Sequence, residues 1–185
     1  MTPDIPAYGM TLILGGARSG KSAYAEKIAR ETGCPTLYIA TATALDDEMR
    51  ARIAQHRAAR PPEWQTLEVP LQVGEAILKL APTQTMILLD CITLLVSNVL
   101  LALPENAPLE TVMEHVRVEI EALLTAQTKI GGQWLLVSNE VGLGLVPPYP
   151  LGRIYRDALG WANQRLARAA ERVLFMVAGI PMVVK

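Results

Sequence analysis

The residues whose types and spacing best support chemistry form one run, Gly15-Gly16-Ala17-Arg18-Ser19-Gly20-Lys21-Ser22. It matches G-x-x-x-x-G-K-[ST], between the apolar stretch Met10 to Leu14 and a helix-compatible segment, Ala23 to Arg30. Small residues let the backbone curl so that successive N–H groups face inward, and the following helix adds its positive end. A polyphosphate fits such a cradle, with Lys21 reaching the outer phosphates and the Ser22 hydroxyl on Mg²⁺. A glycine-rich turn matching by accident would not bring the strand and helix with it.

Such a loop calls for an acid at the end of another buried strand. Met86-Ile87-Leu88-Leu89-Asp90 supplies one, and Asp90 is read as the metal partner rather than as a helix cap. A further group belongs on the same nucleotide side. Thr41-Ala42-Thr43 follows the apolar strand Thr36 to Ala40, and ligands gather at the carboxyl ends of strands in open α/β sheets. The same three residues also suit a helix N-cap cluster. Glu68 lies in a short predicted strand, Trp64 to Val69.

His56 is the third centre. The spacing predicts a helix that begins with Asp46, Asp47 and Glu48 and stops at Pro61-Pro62, with Met49, Ile53 and His56 on one face. Arg52, Arg57 and Arg60 lie nearby. A lone histidine is by default a satisfied structural residue; guanidiniums around it point to phosphate. The other histidine, His115, falls on the polar side of a long helical pattern, Leu109 to Leu124, and reads as solvent-facing.

The elements that must position these groups alternate strand and helix throughout. That predicts an α/β fold, a mostly parallel P-loop NTPase-type sheet with helices on both faces, in a single domain over residues 10–185. Within it, Gly33 is read as the first helix's C′ residue, a helix is expected from Pro70 through Lys79, and a strand from Gln133 to Ser138. An arginine-rich helix is expected from Gly152 to Arg172, then strands Val173 to Ala178 and Met182 to Val184 around a Gly179-Ile180-Pro181 turn. Met1 to Gly9 reads as a flexible leader with no secretory character.

With 51% hydrophobic and 19% charged residues and a net charge of −1, the chain is globular and presents no basic field for nucleic acid. The apolar window Met86 to Leu103 is broken by Asp90 and divides into strand and helix, not a membrane span. Cys34 and Cys91 lack metal-ligand spacing and read as small core residues in a reducing, cytoplasmic setting. A switch GTPase would need an Asn-Lys-x-Asp for guanine and an Asp-x-x-Gly after the second strand, and neither is present. A small-molecule kinase fits the size, the charge and the Lys21/Ser22/Asp90 set.

From about Thr11 to Lys185 the sequence resembles the bifunctional adenosylcobinamide kinase / adenosylcobinamide-phosphate guanylyltransferase family of cobalamin assembly. The resemblance is carried by residues 15–22, Tyr-Ile-Ala-Thr at 38–41, Asp-Asp-Glu-Met at 46–49, Arg52-Ile53 followed by His56, and Arg60-Pro61. It continues through Asn139-Glu140-Val141-Gly142 and Asn163-Gln164-Arg165-Leu166. It implies phosphorylation of adenosylcobinamide by ATP or GTP, then transfer of GMP from GTP onto adenosylcobinamide phosphate through a guanylyl-histidine. It further implies that His56 carries the GMP, that Lys21 serves the kinase step, and that Gly15 to Ser22 bind the triphosphate. Thr41, Ala42 and Thr43 would line the nucleotide pocket, and Arg57, Ala58, Ala59, Arg60, Glu68 and Asp90 would complete the GTP site. Mg²⁺ as cofactor and a homotrimer also follow from the resemblance.

Two positions depart from the family pattern: Asp90 stands where Glu is frequent, and Ala58-Ala59 lack the polar or glycine character expected there. Two other readings stay open at this stage. One is a P-loop small-molecule kinase, or a transferase, with a single activity; the other is a nucleotide-binding regulatory protein with no transfer chemistry.

Overall fold

The computed structural model describes residues 8–44, 47–58, 60–80, 83 and 86–185; the side chains of Glu48, Met49 and Arg52 lie outside that description. Asp46 and Ala59, and residues 1–7 of the expected leader, also fall outside it. The elements in chain order are β1 (Gly9–Gly15), α1 (Lys21–Thr32), β2 (Thr36–Ala40), α2 (Asp47–Ala58), β3 (Gln65–Glu68), α3 (Val73–Leu80) and β4 (Met86–Asp90). They continue with α4 (Ile92–Leu101), α5 (Leu109–Ile130), β5 (Gln133–Val137), α6 (Pro150–Ala169), β6 (Arg172–Val177) and β7 (Ile180–Val183).

The strands form one seven-stranded sheet in the order β3-β2-β4-β5-β1-β6-β7, parallel except for β7. Strands buried on both sides need apolar residues at both parities, and β2 and β5 are buried at every position. Helix α1 covers one face, packing Ala25, Ile28 and Ala29 on Ile13, Tyr38, Leu88 and Leu135. Helices α3 to α6 cover the other, over Leu12, Ile39, Leu89 and Leu136. The expectation of helices on both faces therefore holds. Because β1 to β6 run in one direction, the residues after β1, β2, β3, β4 and β5 all emerge at one edge, with β5 between the P-loop strand and the Asp90 strand.

Several element boundaries differ from expectation for local reasons. Gly9, read as the end of the leader, pairs with Gln133 as the first residue of β1. Helix α3 starts at Val73, not Pro70, because Gln72 is in the left-handed region (φ 55°) and cannot continue a helix backwards. The Gln72 and Val73 N–H groups instead donate to the Glu119 carboxylate of α5, at 3.0 and 2.7 Å. Helix α6 starts at Pro150, whose missing N–H costs nothing at the first turn, and ends before Ala170, which is extended. The final turn is Ala178-Gly179, both at positive φ (50° and 84°), so Ile180 and Pro181 belong to the edge strand β7.

Glu119 is a buried carboxylate capping a helix from another helix. Glu119→Ala leaves the two α3 N–H groups without an acceptor and is expected to cost about 2–3 kcal/mol. Urea unfolding of the variant, with an unchanged m-value, checks it.

Candidate active site

The loop after β1 is built by its own residues and braced from two sides. Gly15 has φ 151°, and a Cβ there would sit 2.7 Å from both the Met176 carbonyl oxygen and Ser19 Oγ, so no larger residue fits. Gly20, at φ 92°, turns the chain into α1. From outside, the Glu140 N–H donates to the Gly15 carbonyl and the Gly179 N–H to the Ser19 carbonyl, each at 3.0 Å. The strand exit of β5 and the β6–β7 turn thus fix the loop. Gly16, Ala17 and Arg18 are exposed at its rim.

Lys21 lies beneath this loop, 6% exposed. Its Nζ donates to the Gly16 carbonyl at 2.6 Å and lies 3.5 Å from Ser19 Oγ. Burial lowers its pKa below the ordinary lysine value, while Cys91 and Asp90 close by act the other way. An ammonium buried against carbonyl and hydroxyl oxygens is prepared to exchange them for phosphate oxygens. Ser22, half-buried, occupies the first turn of α1.

Asp90 ends β4 opposite Ala40. The Tyr38 hydroxyl donates to Asp90 Oδ2 at 3.1 Å. Burial, with the Asp90 charge adding to it, pushes the Tyr38 phenol far up, so it remains a donor. Beside Asp90, burial pushes the Cys91 thiol up to about 12, which leaves it neutral. Thr41 is fully buried, and its hydroxyl is engaged inside the fold: it donates to the Cys91 carbonyl at 2.7 Å and accepts from the Cys91 N–H at 2.9 Å. Thr41 therefore shapes the strand end, whereas half-buried Ala42 and exposed Thr43 face outward.

Around α2 the sequence-derived site divides. His56, Arg57 and Ala58 are exposed at the last turn of α2, and Ala59 lies outside the described residues. Arg57 pairs with Glu68 at the end of β3, joining two of the expected site residues on the surface. Arg60 turns inward, its guanidinium carbon 3.8 Å from the Tyr38 ring centroid. Glu26 of α1 links the two groups electrostatically. Its carboxyl is raised chiefly by burial; Arg30 opposes the rise, Asp90 adds to it, and His56 and Arg60 oppose it. His115, expected to face solvent, is exposed, and its Nδ1 lies 2.8 Å from the Thr111 carbonyl oxygen.

The donor chemistry at the loop fits Mg²⁺. One carboxylate and one hydroxyl, completed by substrate phosphate oxygens and water, is the set this ion takes in nucleotide sites. Ser22 and Asp90 are the residues that would hold it.

Sequence reasoning did not assign Tyr38, Asn98 or Asn163. Asn98 Nδ2 donates to the carbonyls of Thr41 (2.8 Å) and Pro70 (3.0 Å), tying the β2 exit to α4. Asn163 accepts from Ser138 Oγ at 2.7 Å and donates to the Asn139 carbonyl at 3.0 Å, holding the β5 exit that braces the loop. The available signal was a polar side chain inside an otherwise apolar element, which must find a partner. Two arginines of α6 serve the scaffold: Arg165 makes a two-point contact with Glu121, and Arg153 donates to the carbonyls of Pro147 and Pro148.

A parallel sheet that delivers a glycine-rich loop, its buried lysine and a strand-end acid to one edge is the fold of the P-loop NTPases. Within that class the chain belongs to the CobU family: residues 11–184 match the model for cobinamide kinase / cobinamide phosphate guanyltransferase. It is an enzyme, a transferase of cobalamin biosynthesis with kinase and guanylyltransferase activities. It is 48% identical to the bifunctional adenosylcobalamin biosynthesis protein CobP of Pseudomonas aeruginosa, over 94% of this chain and 96% of that one. The CobU proteins of Salmonella typhimurium and Escherichia coli are 43% and 39% identical, each over 95% of this chain and 99% of theirs. A RadB recombinase crystal structure superposes with a TM-score of 0.47 at 15% identity, covering 90% of this chain and 73% of that one. No helix among the described residues is long and apolar enough to cross a membrane.

Proposed function

We propose that the protein phosphorylates the aminopropanol hydroxyl of adenosylcobinamide with ATP or GTP and then converts the product to adenosylcobinamide-GDP through a guanylyl group carried on His56. Family membership over residues 11–184 carries this reading. The contacts that bring Asp90 and Arg60 onto one residue, Tyr38, support it.

In the kinase step the loop N–H groups and Lys21 bind and orient the triphosphate, and catalysis is positioning and electrostatics. A Mg²⁺ held by Ser22 and Asp90 would neutralise charge on the phosphate oxygens. In the second step an unprotonated imidazole nitrogen of His56 attacks the α-phosphorus of GTP, a P–N bond forms, and pyrophosphate leaves. A phosphate oxygen of adenosylcobinamide phosphate then attacks the same phosphorus, the P–N bond breaks, and the imidazole is restored. Arg57 and Arg60 are the guanidiniums available to stabilise the charge that develops.

The same reading places the protein in the cytoplasm as a homotrimer. The exposed apolar residues Leu143, Leu145, Val146 and Tyr149, in the loop after β5, support a contact between subunits.

Incubation with adenosylcobinamide, GTP, ATP and Mg²⁺, followed by mass spectrometry, tests the reading. Adenosylcobinamide phosphate and then adenosylcobinamide-GDP are expected. Asp90→Asn should slow both steps, by on the order of 10²-fold, through loss of the metal-side charge. A protein that makes neither product, or an Asp90→Asn variant of full activity, contradicts it.

A further inference from the structure

Tyr38 carries a buried hydroxyl in the middle of a strand whose other residues are Thr36, Leu37, Ile39 and Ala40, and it is 2% exposed. The parallel register sets it opposite Leu88, two residues before Asp90, so both side chains lie on the face beneath α1. One phenol thereby touches two of the expected phosphate-side groups. Its oxygen donates to Asp90 Oδ2 at 3.1 Å, and its ring underlies the Arg60 guanidinium at 3.8 Å. Trp64 packs on the ring from β3's approach, 6.3 Å between centroids at 23°, and Arg30 lies 5.8 Å from the Trp64 ring. The Tyr38 ring has little room to move.

Arg60 is the unusual partner. Its Nε and Nη1 are buried and have no hydrogen-bond acceptor among the described residues. A ring face attracts the cation but accepts no N–H bond in the guanidinium plane, and buried N–H donors left unpaired are costly. Such a group is held ready for an acceptor from outside the protein, and the planar fork of Arg suits a phosphate.

The geometry points to Tyr38 as a positioning residue for the nucleotide's polyphosphate, its hydroxyl fixing the Asp90 carboxylate for the metal and its ring holding the Arg60 fork for the phosphate oxygens. This rests on the nucleotide site proposed above and adds to it a residue whose two halves do separable jobs. The hydroxyl acts through Asp90, so its contribution depends on divalent cation. The ring acts through Arg60, so its contribution does not.

Equilibrium binding of a non-hydrolysable GTP analogue separates them, measured with Mg²⁺ and again in EDTA. Tyr38→Phe keeps the ring and loses the hydroxyl: affinity should fall about tenfold with Mg²⁺ and stay unchanged in EDTA. Tyr38→Leu loses both and should weaken binding in either condition. In an Asp90→Asn background, Tyr38→Phe should have no further effect on the Mg²⁺-dependent part of binding. Circular dichroism confirms that each variant is folded; the double variant carries the test if Tyr38→Leu is not. The proposal is overturned if Tyr38→Phe binds like the unaltered protein in Mg²⁺, if it loses affinity equally in EDTA, or if its loss persists in full beside Asp90→Asn. Binding is read apart from guanylyl transfer, so it can fail while adenosylcobinamide-GDP is still made, and the unaltered protein's failure to bind the analogue would instead sink the nucleotide site itself.

Discussion

His56→Ala is expected to lose guanylyl transfer by on the order of 10⁴-fold or more while its kinase activity stays within a few fold of the unaltered enzyme. The separation is the informative part. His56 lies on the exposed last turn of α2, whereas Lys21 and the loop after β1 are fixed by hydrogen bonds to Gly16, Glu140 and Gly179. Truncating an exposed side chain there changes stability by no more than about 0.5 kcal/mol, so lost transfer cannot be charged to unfolding. Separate assays of the two steps with purified intermediates check it. Equal losses in both would mean that His56 acts on the shared nucleotide site and carries no covalent group.

Lys21→Met gives the complementary pattern. The kinase step should fall on the order of 10²- to 10³-fold, the effect of removing one preorganised donor from a developing charge. Stability should hold or rise. Burial lowers the Lys21 pKa, so the fold disfavours its charged form; this penalty is full below the lowered pKa and fades as pH rises from there toward the ordinary value of 10.5. Removing the ammonium removes the penalty at neutral pH. A thermal melt run beside the kinase assay distinguishes the two outcomes: lost activity with an unchanged or higher Tm supports the catalytic role, and lost activity with a collapsed Tm argues for a structural one.

The parts of the fold that were legible were those fixed by local pattern. Met86 to Leu89 and Trp134 to Val137 are apolar at both parities, which only a doubly covered strand tolerates, and both lie in strands. The glycine-rich run announces its own backbone, and the αL cap at Gly33 follows from having no Cβ. What remained hidden depends on partners distant in sequence. Nothing near Val73 shows that Glu119, 46 residues on, supplies the cap that starts α3. Nothing near Thr41 shows that its hydroxyl turns to Cys91, 50 residues away. Tyr38 opens the Tyr-Ile-Ala-Thr run at 38–41, yet its reach to Asp90 depends on β2 and β4 being neighbours, and strand order is set by the whole sheet. At the site, Lys21 and Asp90 were legible because each belongs to a pattern with a mechanism, whereas the inward turn of Arg60 onto Tyr38 is a packing outcome.

A guanylyl group carried on His56 is tested by incubation with Mg²⁺ and GTP labelled on its α-phosphate, using the unaltered protein, His56→Ala and His115→Ala. A phosphorus–nitrogen bond to histidine survives denaturation and alkali and breaks in acid. Label with those properties is expected on the unaltered protein and on His115→Ala, and none on His56→Ala. Absence of label from the unaltered protein, or normal labelling of His56→Ala, would contradict that assignment.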